Sequence, residues 1–189
     1  MIPYTLFVLA VGAERIVELG VSKRNLAWAF QHGGREYGRG HYPAMVLLHF
    51  ALLVGCIAEV WLFDRPFLPV LGWTMVVLVL AAQALRWWCI TTLGHRWNTL
   101  IVVVPGLPLV DRGPYRWLRH PNYVAVVAEG IALPMVHTAW ITAVTFTVLN
   151  AFLLRVRIRG EEAALAAALA APPVAGVVPE HQRESPSGP

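Results

Sequence analysis

Five apolar segments dominate this chain of 189 residues. A transmembrane helix needs about 20 consecutive, mostly apolar residues. Segments that reach or approach this length lie at 2–19, 43–63, 66–89, 123–136 and 138–156. Charged residues make up only 14% of the chain, whereas a soluble domain carries about 25%. The sequence therefore predicts an all-α integral membrane protein with about five transmembrane helices.

The last two apolar segments are separated only by a short connection around His137. This spacing predicts that the fourth and fifth helices form a hairpin. The stretch EEAALAAALA after the fifth segment is rich in alanine, a strong helix former, and is expected to extend that helix. Residues 172–189 are rich in proline, glycine and serine and are predicted to be disordered. We expect a single membrane domain at 1–171, followed by this tail.

Basic residues predict how the helices are oriented, because cytoplasmic connections carry an excess of lysine and arginine. They cluster after the first segment, after the third segment and at the end of the fifth: Lys23, Arg24, Arg35, Arg39, Arg96, Arg112, Arg116, Arg119, Arg155, Arg157 and Arg159. The two opposite connections hold one arginine, Arg65. We therefore expect that the protein spans the cell (inner) membrane, with its N-terminus outside and its C-terminus in the cytoplasm.

Charge and cysteine content argue against two kinds of partner. The net charge of +4 would suggest nucleic acid in a soluble protein. Here the cations follow apolar segments, which topology explains, so no nucleic-acid partner is expected. Cys56 and Cys89 have no CxxC spacing and no neighbouring His/Cys cluster, so we expect neither a metal site nor a disulfide framework.

The first segment lacks a charged n-region and a cleavage site, which predicts a retained helix.

The connection between the third and fourth segments is too polar to span a membrane. Its first part, LIVVVPGLPLV at 100–110, is apolar but broken by proline and glycine, and predicts an extended segment at the membrane surface. The next residues, DRGPYR, predict a turn that Asp111 initiates, with flexible Gly113 and with φ fixed by Pro114. The segment thus leads into a compact polar loop.

The string GPYRWLRHPNY, at 113–123, ends this loop. His120 precedes Pro121, which disfavours helical geometry at the histidine, and Pro121 suits the first turn of a helix. The free amide groups at that helix start can receive an anionic group. Arginines and aromatic residues beside a membrane helix can also simply contact lipid headgroups. A headgroup anchor, however, has no need of a Gly-Pro turn and a His-Pro step at fixed spacing.

GPYRWLRHPNY, followed by a helical hairpin and then RVRIRGEE, resembles the isoprenylcysteine carboxyl methyltransferase family over roughly residues 85–165. Members of that family are integral membrane enzymes that use S-adenosylmethionine and release S-adenosylhomocysteine. ERIVELGVSKRN and HYPAMVLLH in the first half resemble a bacterial subgroup associated with O-methylation of alkylresorcinols or alkylpyrones. The resemblance implies a membrane O-methyltransferase with a lipophilic acceptor, either such a phenolic or pyrone lipid or a prenylcysteine carboxylate.

The resemblance also implies cofactor-binding roles for the HPNY block. His120 and Tyr123 would lie near the adenosine or amino-acid part of the cofactor. Pro121 would shape the loop and Arg119 would brace it. The family often has glycine two residues after the tyrosine, and here that position is Ala125, whose methyl group is expected to tighten the pocket.

Further cofactor-binding positions are implied on either side of this block. Val110, Gly113 and Tyr115 would line the same pocket from the preceding segment. Glu161 would bind the cofactor and Glu162 would act in catalysis, closing the pocket from the C-terminal side. The Glu161-Glu162 pair has an alternative interpretation as a solvated helix face, since Arg157 and Arg159 stand at i,i+4 and i,i+3 spacing from them.

For the catalytic step, the resemblance implies that Arg157 faces the acceptor and acts with Glu162. A carboxylate acceptor needs only a cation to orient it, whereas a phenol or enol benefits from a general base such as Glu162 or His120. The sequence leaves open whether these residues act as a base or only bind. In both cases the enzyme mainly aligns donor and acceptor and excludes water.

Several polar residues lie within or near the apolar segments: Glu14, Glu18, His49, Glu59, Gln83, Glu129 and Asn150. Ionisable groups in a membrane usually face the bundle interior with a partner. Glu14 and Glu18 share a helix face and have Arg15 beside them, which predicts buried structural pairs. The alternative is that His49, Glu59 or Glu129 lines the acceptor pocket.

Two other function classes compete with methyl transfer. Membrane sterol reductases resemble this chain in an RHPNY-like string and bind NADPH, but they are usually much longer and lack the GPYR residues in front. A transporter should show repeats or broken helices in matching halves, and the chain has neither. A membrane methyltransferase therefore remains the preferred interpretation.

Overall fold

The computed structural model describes residues 1–170 of the chain. Five α-helices account for most of them: α1 at Ile2–Gln31, α2 at Tyr42–Leu62, α3 at Pro69–Leu93, α4 at Pro121–Met135 and α5 at Trp140–Ala170. The predicted number of helices and the all-α class are confirmed. The predicted tail at 172–189 lies outside the described residues, and the single-domain boundary at 171 stays a prediction.

Proline begins four of these helices. Pro3, Pro43, Pro69 and Pro121 each occupy the first or second helical position, where the missing N–H would have no partner in any case and the fixed φ suits the helix. The His-Pro step behaves as predicted, because His120 has φ −132° and ψ 61°, outside helical geometry. The sequence thus sets the exact point at which α4 begins.

Within the described residues, three helices are long and apolar enough to cross a membrane: Tyr42–Leu62, Pro69–Arg96 and Trp140–Ala167. The protein is therefore an integral membrane protein. α4 has 15 residues, which at 1.5 Å each is shorter than a hydrocarbon core of about 30 Å. The predicted first span carries Glu14, Arg15 and Glu18 near its end, and α1 continues to Gln31, well past the predicted end. Spanning by α1 and α4 stays a prediction.

The bundle core draws on all five helices. Tyr4 and Val8 of α1 pack with Cys56, Val79, Leu133 and Phe146 of the other four. α4 and α5 form the predicted hairpin and approach closely at Gly130, where an added Cβ would lie 2.1 Å from the Phe146 ring. Only glycine therefore allows this contact, and the hairpin holds the beginning of α4 beside the far end of α5.

The buried stripe of α1 changes character along its length. Its first half buries Tyr4, Val8 and Val11, and its second half buries Glu18, Ser22 and Asn25. The spacing of three or four residues keeps all of them on one face of the helix. Buried polar groups need hydrogen-bond or ion-pair partners, and each of these three residues has at least one.

A cluster of charged side chains joins α1 to α3 and α4. Arg15 Nη1 lies 2.7 Å from Glu18 Oε1, and Arg15 also donates to Glu129. Arg86 Nη2 lies 3.0 Å from Glu129 Oε2, and Arg86 Nε lies 3.4 Å from Glu18 Oε1. Glu14 accepts hydrogen bonds from Gln83 and Trp87. This geometry agrees with the interpretation of Glu14, Arg15 and Glu18 as buried structural groups.

Two other polar residues of the apolar segments also have structural partners. Glu59 accepts hydrogen bonds from the backbone N–H groups of Ile141 and Thr142, at 3.2 and 2.7 Å, and pairs with Arg65 at 2.9 Å. It therefore caps the beginning of α5, at the end of the hairpin opposite to the first turn of α4. His49 Nδ1 lies 2.8 Å from the carbonyl oxygen of Met45.

One element was not predicted. Arg35–Tyr37, strand β1, pairs antiparallel with Ile101–Val103, strand β2, with Arg35 opposite Val103 and Tyr37 opposite Ile101. The extended conformation expected for 100–110 is thus correct for β2. The pairing means that the connection between α1 and α2 and the connection between α3 and α4 form one ribbon on the same side of the bundle.

Candidate active site

A cavity of about 550 Å³ lies where this ribbon meets the beginning of α4 and the end of α5. Eight of the ten predicted site residues line it: Val110, Tyr115, Arg119, His120, Tyr123, Arg157, Glu161 and Glu162. The hairpin explains this assembly, since it returns α5 to the first turn of α4. The residues predicted from two distant motifs therefore meet in one place.

Tyr123 connects the two motifs. Its hydroxyl donates to Glu161 and accepts a hydrogen bond from Arg157 Nε at 2.8 Å. Its ring stacks on that of His120, with 5.3 Å between centroids. The hydroxyl thus donates to one side chain of α5 and accepts from another.

His120 lies between the two carboxylates of α5. Its Nε2 is 3.6 Å from Glu162 Oε1 and its Nδ1 is 3.9 Å from Glu161 Oε2, both longer than a hydrogen bond. The Nε2 atom is buried and has no hydrogen-bond partner. Arg119 is largely exposed and its Nη1 lies 3.8 Å from Glu162. His120 is thus placed to bond a ligand or, with a small movement, Glu162.

The alternative interpretation, in which Glu161 and Glu162 pair with arginines of their own helix, does not agree with the observed contacts. Glu161 bonds Tyr123, and Glu162 faces His120 and Arg119. In the described part of the chain, no ion pair joins Arg157 to Glu161 or Arg159 to Glu162. The acidic pair therefore turns towards the cavity.

Arg157 is a buried cation, only 7% exposed. Besides Tyr123, its guanidinium contacts Met45 of α2, with 3.6 Å between Nη1 and Sδ. Thioether sulfur is a weak acceptor. Within residues 1–170, no carboxylate forms an ion pair with Arg157. Burial and the Arg157 charge lower the pKa of His41, just before α2, so the field of this cation reaches the first half of the chain.

The other two predicted residues shape the loop and do not line the cavity. Gly113 has φ +57°, and a Cβ there would lie 2.6 Å from Thr92 Oγ1. Pro121 is buried at the first position of α4. Tyr115 lies between them on the wall, and burial, followed by the nearby Cys89, raises the pKa of its hydroxyl. The predicted turn therefore exists and presents Tyr115 to the cavity.

Sequence reasoning missed several residues of this site. Asn98 and Asn122 both line the cavity, and each has buried polar side-chain atoms without a hydrogen-bond partner. Asn122 lies within the HPNY block, so the sequence motif itself could have indicated it as a site residue. Asn98 follows α3 with no motif to mark it, and Met45 reaches Arg157 only through the packing of α2 against α5.

Comparison with known proteins agrees with this geometry. The model of the isoprenylcysteine carboxyl methyltransferase (ICMT) family matches residues 75–167. The uncharacterized protein YpbQ of Bacillus subtilis (strain 168) is 37% identical over 163 residues, which cover 86% of this chain and 96% of YpbQ. The chain belongs to the ICMT family. An uncharacterized protein of Haemophilus influenzae (strain ATCC 51907 / DSM 11121 / KW20 / Rd) is 25% identical over 154 residues, 81% of this chain and 89% of that protein.

The ICMT match runs from within α3 to α5 and includes all ten predicted site residues. Membership implies that the protein is a membrane methyltransferase. The departure from the ICMT pattern at Ala125 has a simple place in the fold: Ala125 is fully buried and does not line the cavity. Its methyl group therefore packs within the bundle, and the expected tightening of the pocket would have to act indirectly.

Proposed function

We propose that this protein is an S-adenosylmethionine-dependent O-methyltransferase whose acceptor is a membrane-soluble phenolic or pyrone lipid of the alkylresorcinol or alkylpyrone type. The observation that carries the proposal is the buried guanidinium of Arg157, which has no carboxylate partner among the described residues and lies between the cavity and α2. A buried cation of this kind is stabilised by an anionic ligand. ICMT membership supports methyl transfer over the NADPH-reductase and transporter alternatives.

The cavity fits the proposed cofactor. Its volume of about 550 Å³ is within the range of about 300–1,000 Å³ for small-molecule sites. It combines an apolar wall with three carboxylates, a histidine and unpartnered amide groups. Val110, Tyr115, His120, Tyr123 and Glu161 would hold the cofactor, while Arg119, Gly113 and Pro121 would brace and shape the loop. When bound, S-adenosylmethionine supplies an activated methyl group.

The residues of this chain would then act mainly through alignment. Arg157 would orient the acceptor oxygen and stabilise its negative charge. For a phenol, the departing proton would pass to Glu162, with His120 beside it as an alternative base. A carboxylate acceptor would arrive already ionised and would need Arg157 alone. β2 and the residues after it would exclude water from the cavity, while the acceptor tail would remain among the helices.

The first prediction concerns the product. Membranes that contain the protein should transfer a labelled methyl group from S-adenosylmethionine to an alkylresorcinol, and the label should be stable to base because an aryl ether does not hydrolyse. Membranes without the protein are the control. If the methyl group is instead transferred to a prenylcysteine acid, base should release the label from the product as methanol, which would identify a carboxyl ester and overturn the phenolic acceptor. Transfer to neither substrate would reject both acceptors.

The second prediction concerns orientation, with the N-terminus outside and the site cytoplasmic. Cys56 and Cys89 are buried, so an added surface cysteine should be the reactive one. In intact cells, an impermeant maleimide should label Phe63→Cys, at the exposed end of α2. It should label Arg116→Cys, in the site loop, only after permeabilisation. The reverse pattern would show that the site lies outside and that the positive-inside argument fails here.

A further inference from the structure

Unpartnered polar atoms concentrate at one cavity. Asn98 Nδ2, Asn98 Oδ1, His120 Nε2 and Asn122 Oδ1 are all buried without a hydrogen-bond partner, and all three residues line the cavity. A buried donor or acceptor without a partner costs free energy, so native proteins rarely retain several at one place. Asn98 stands out because both ends of its amide lack a partner.

The backbone on both sides of Asn98 is held by α1. Asn25 Nδ2 donates to the carbonyl oxygen of Trp97 at 2.8 Å, and to that of Gly94 at 3.0 Å. The backbone N–H of Thr99 donates to Ser22 Oγ at 3.0 Å. Asn25 and Ser22 are 1% and 5% exposed. Two buried polar residues of α1 thus fix the peptide groups next to an amide that has no partner itself.

Asn98 lies on the less polar side of the cavity. Its neighbours in the wall from the ends of α1 and α3 are Ala29, Leu93, Arg96, Trp97 and Leu100, whereas the carboxylates and the other arginines of the site come from the loop before α4 and from α5. A mainly apolar wall with one amide suits a flat aromatic ring that carries polar atoms on its edge. The charged wall suits an amino group and a carboxylate.

We propose that Asn98 recognises the adenine ring of the cofactor, accepting a hydrogen bond from the 6-amino group and donating one to the adjacent ring nitrogen. Adenine offers a donor and an acceptor side by side, and asparagine pairs with both at once. This inference rests on the proposed cofactor. Asn98 lies outside the motifs on which the family resemblance depends. In this proposal it is the residue that distinguishes adenine from other bases.

Binding measurements on the protein in lipid nanodiscs can test this role without any turnover. The probes are S-adenosylhomocysteine and its analogue that lacks the 6-amino group, titrated by calorimetry. We expect the wild type to bind the analogue about 10-fold more weakly, as for one lost hydrogen bond. The affinity of Asn98→Ala for S-adenosylhomocysteine should be lower than that of the wild type by about 10-fold or more. Its affinities for the two ligands should differ by no more than about 2-fold.

The control is Asn150→Ala, which removes a buried amide from α5 that does not line the cavity and should keep the wild-type preference for the amino group. Asn98→Asp preserves the side-chain volume if the alanine variant is unstable. It should bind S-adenosylhomocysteine more weakly but still prefer the amino-bearing ligand. An Asn98→Ala protein with the wild-type preference would overturn the role of Asn98 alone. A wild type that binds neither ligand would overturn the proposed cofactor as well.

Discussion

Replacing Arg157 by methionine should lower methyl transfer by about 100-fold or more, because the loss of one positioned donor at a site of developing charge has an effect of that size. The same change should leave the thermal stability unchanged or raise it. Arg157 is buried and, among the described residues, bonds only a tyrosine hydroxyl and a thioether. Removing an uncompensated buried charge in favour of an apolar side chain is often neutral or stabilising.

This opposite behaviour of activity and stability distinguishes a functional cation from a structural one. The measurements are the initial rate with saturating S-adenosylmethionine and the thermal midpoint of the purified protein in detergent. Arg155→Met is the matched control, because Arg155 is exposed on the same helix and should leave both values near those of the wild type. Arg157→Lys keeps the charge but loses the Nε–H that bonds Tyr123, so an intermediate rate is expected.

Two results would contradict this role for Arg157. If the methionine variant is strongly destabilised, the guanidinium has a structural function that its contacts do not reveal. If the variant keeps both its rate and its Michaelis constant for the acceptor, Arg157 does not meet the acceptor. A higher Michaelis constant with an unchanged maximal rate would point to binding of the acceptor without help in the transition state.

Much of the fold follows from the sequence through short-range physics. The apolar segments predict the helices because backbone polar groups in lipid must bond within their own segment. Proline marks the helix beginnings, and the tight connection at His137 predicts the hairpin. The β1–β2 ribbon could not be predicted in the same way. Arg35–Tyr37 is only three residues long, and its pairing with β2 depends on helix packing that brings the two connections together.

The candidate site shows the same division. Nine of the ten predicted residues belong to two motifs, and Val110 comes shortly before the first of them. Eight of the ten line one cavity because the hairpin length fixes the distance between those motifs. Asn98 and Met45 meet the site from other parts of the chain, and nothing in their local sequence indicates it. Arg86 was also missed: it lies near the end of an apolar segment, where an arginine normally reaches the membrane surface, yet here it is 4% exposed.

Replacing Glu129 by leucine should destabilise the bundle by about 3–5 kcal/mol, the usual effect of removing one partner from a buried ion pair. Glu129 is 3% exposed and accepts hydrogen bonds from both Arg15 and Arg86. Without it, two arginines would share Glu18 as their ion-pair partner inside the bundle. Glu129→Gln retains an acceptor oxygen, so we expect a smaller loss. Unfolding in mixed detergent micelles, with the wild type alongside, would measure these differences.

A double substitution separates this structural role from the alternative in which Glu129 lines the acceptor pocket. If Glu129 mainly neutralises Arg86, then Arg86→Met combined with Glu129→Leu should be more stable than the sum of the two single changes predicts, because no unpaired charge from that pair remains. An acceptor-binding Glu129 would instead give stable single variants with reduced methyl transfer. Glu129 lies on α4, the helix that begins at Pro121 and also carries Tyr123. The charge cluster would therefore affect the reaction through the position of α4, and a variant that regains stability should also regain methyl transfer.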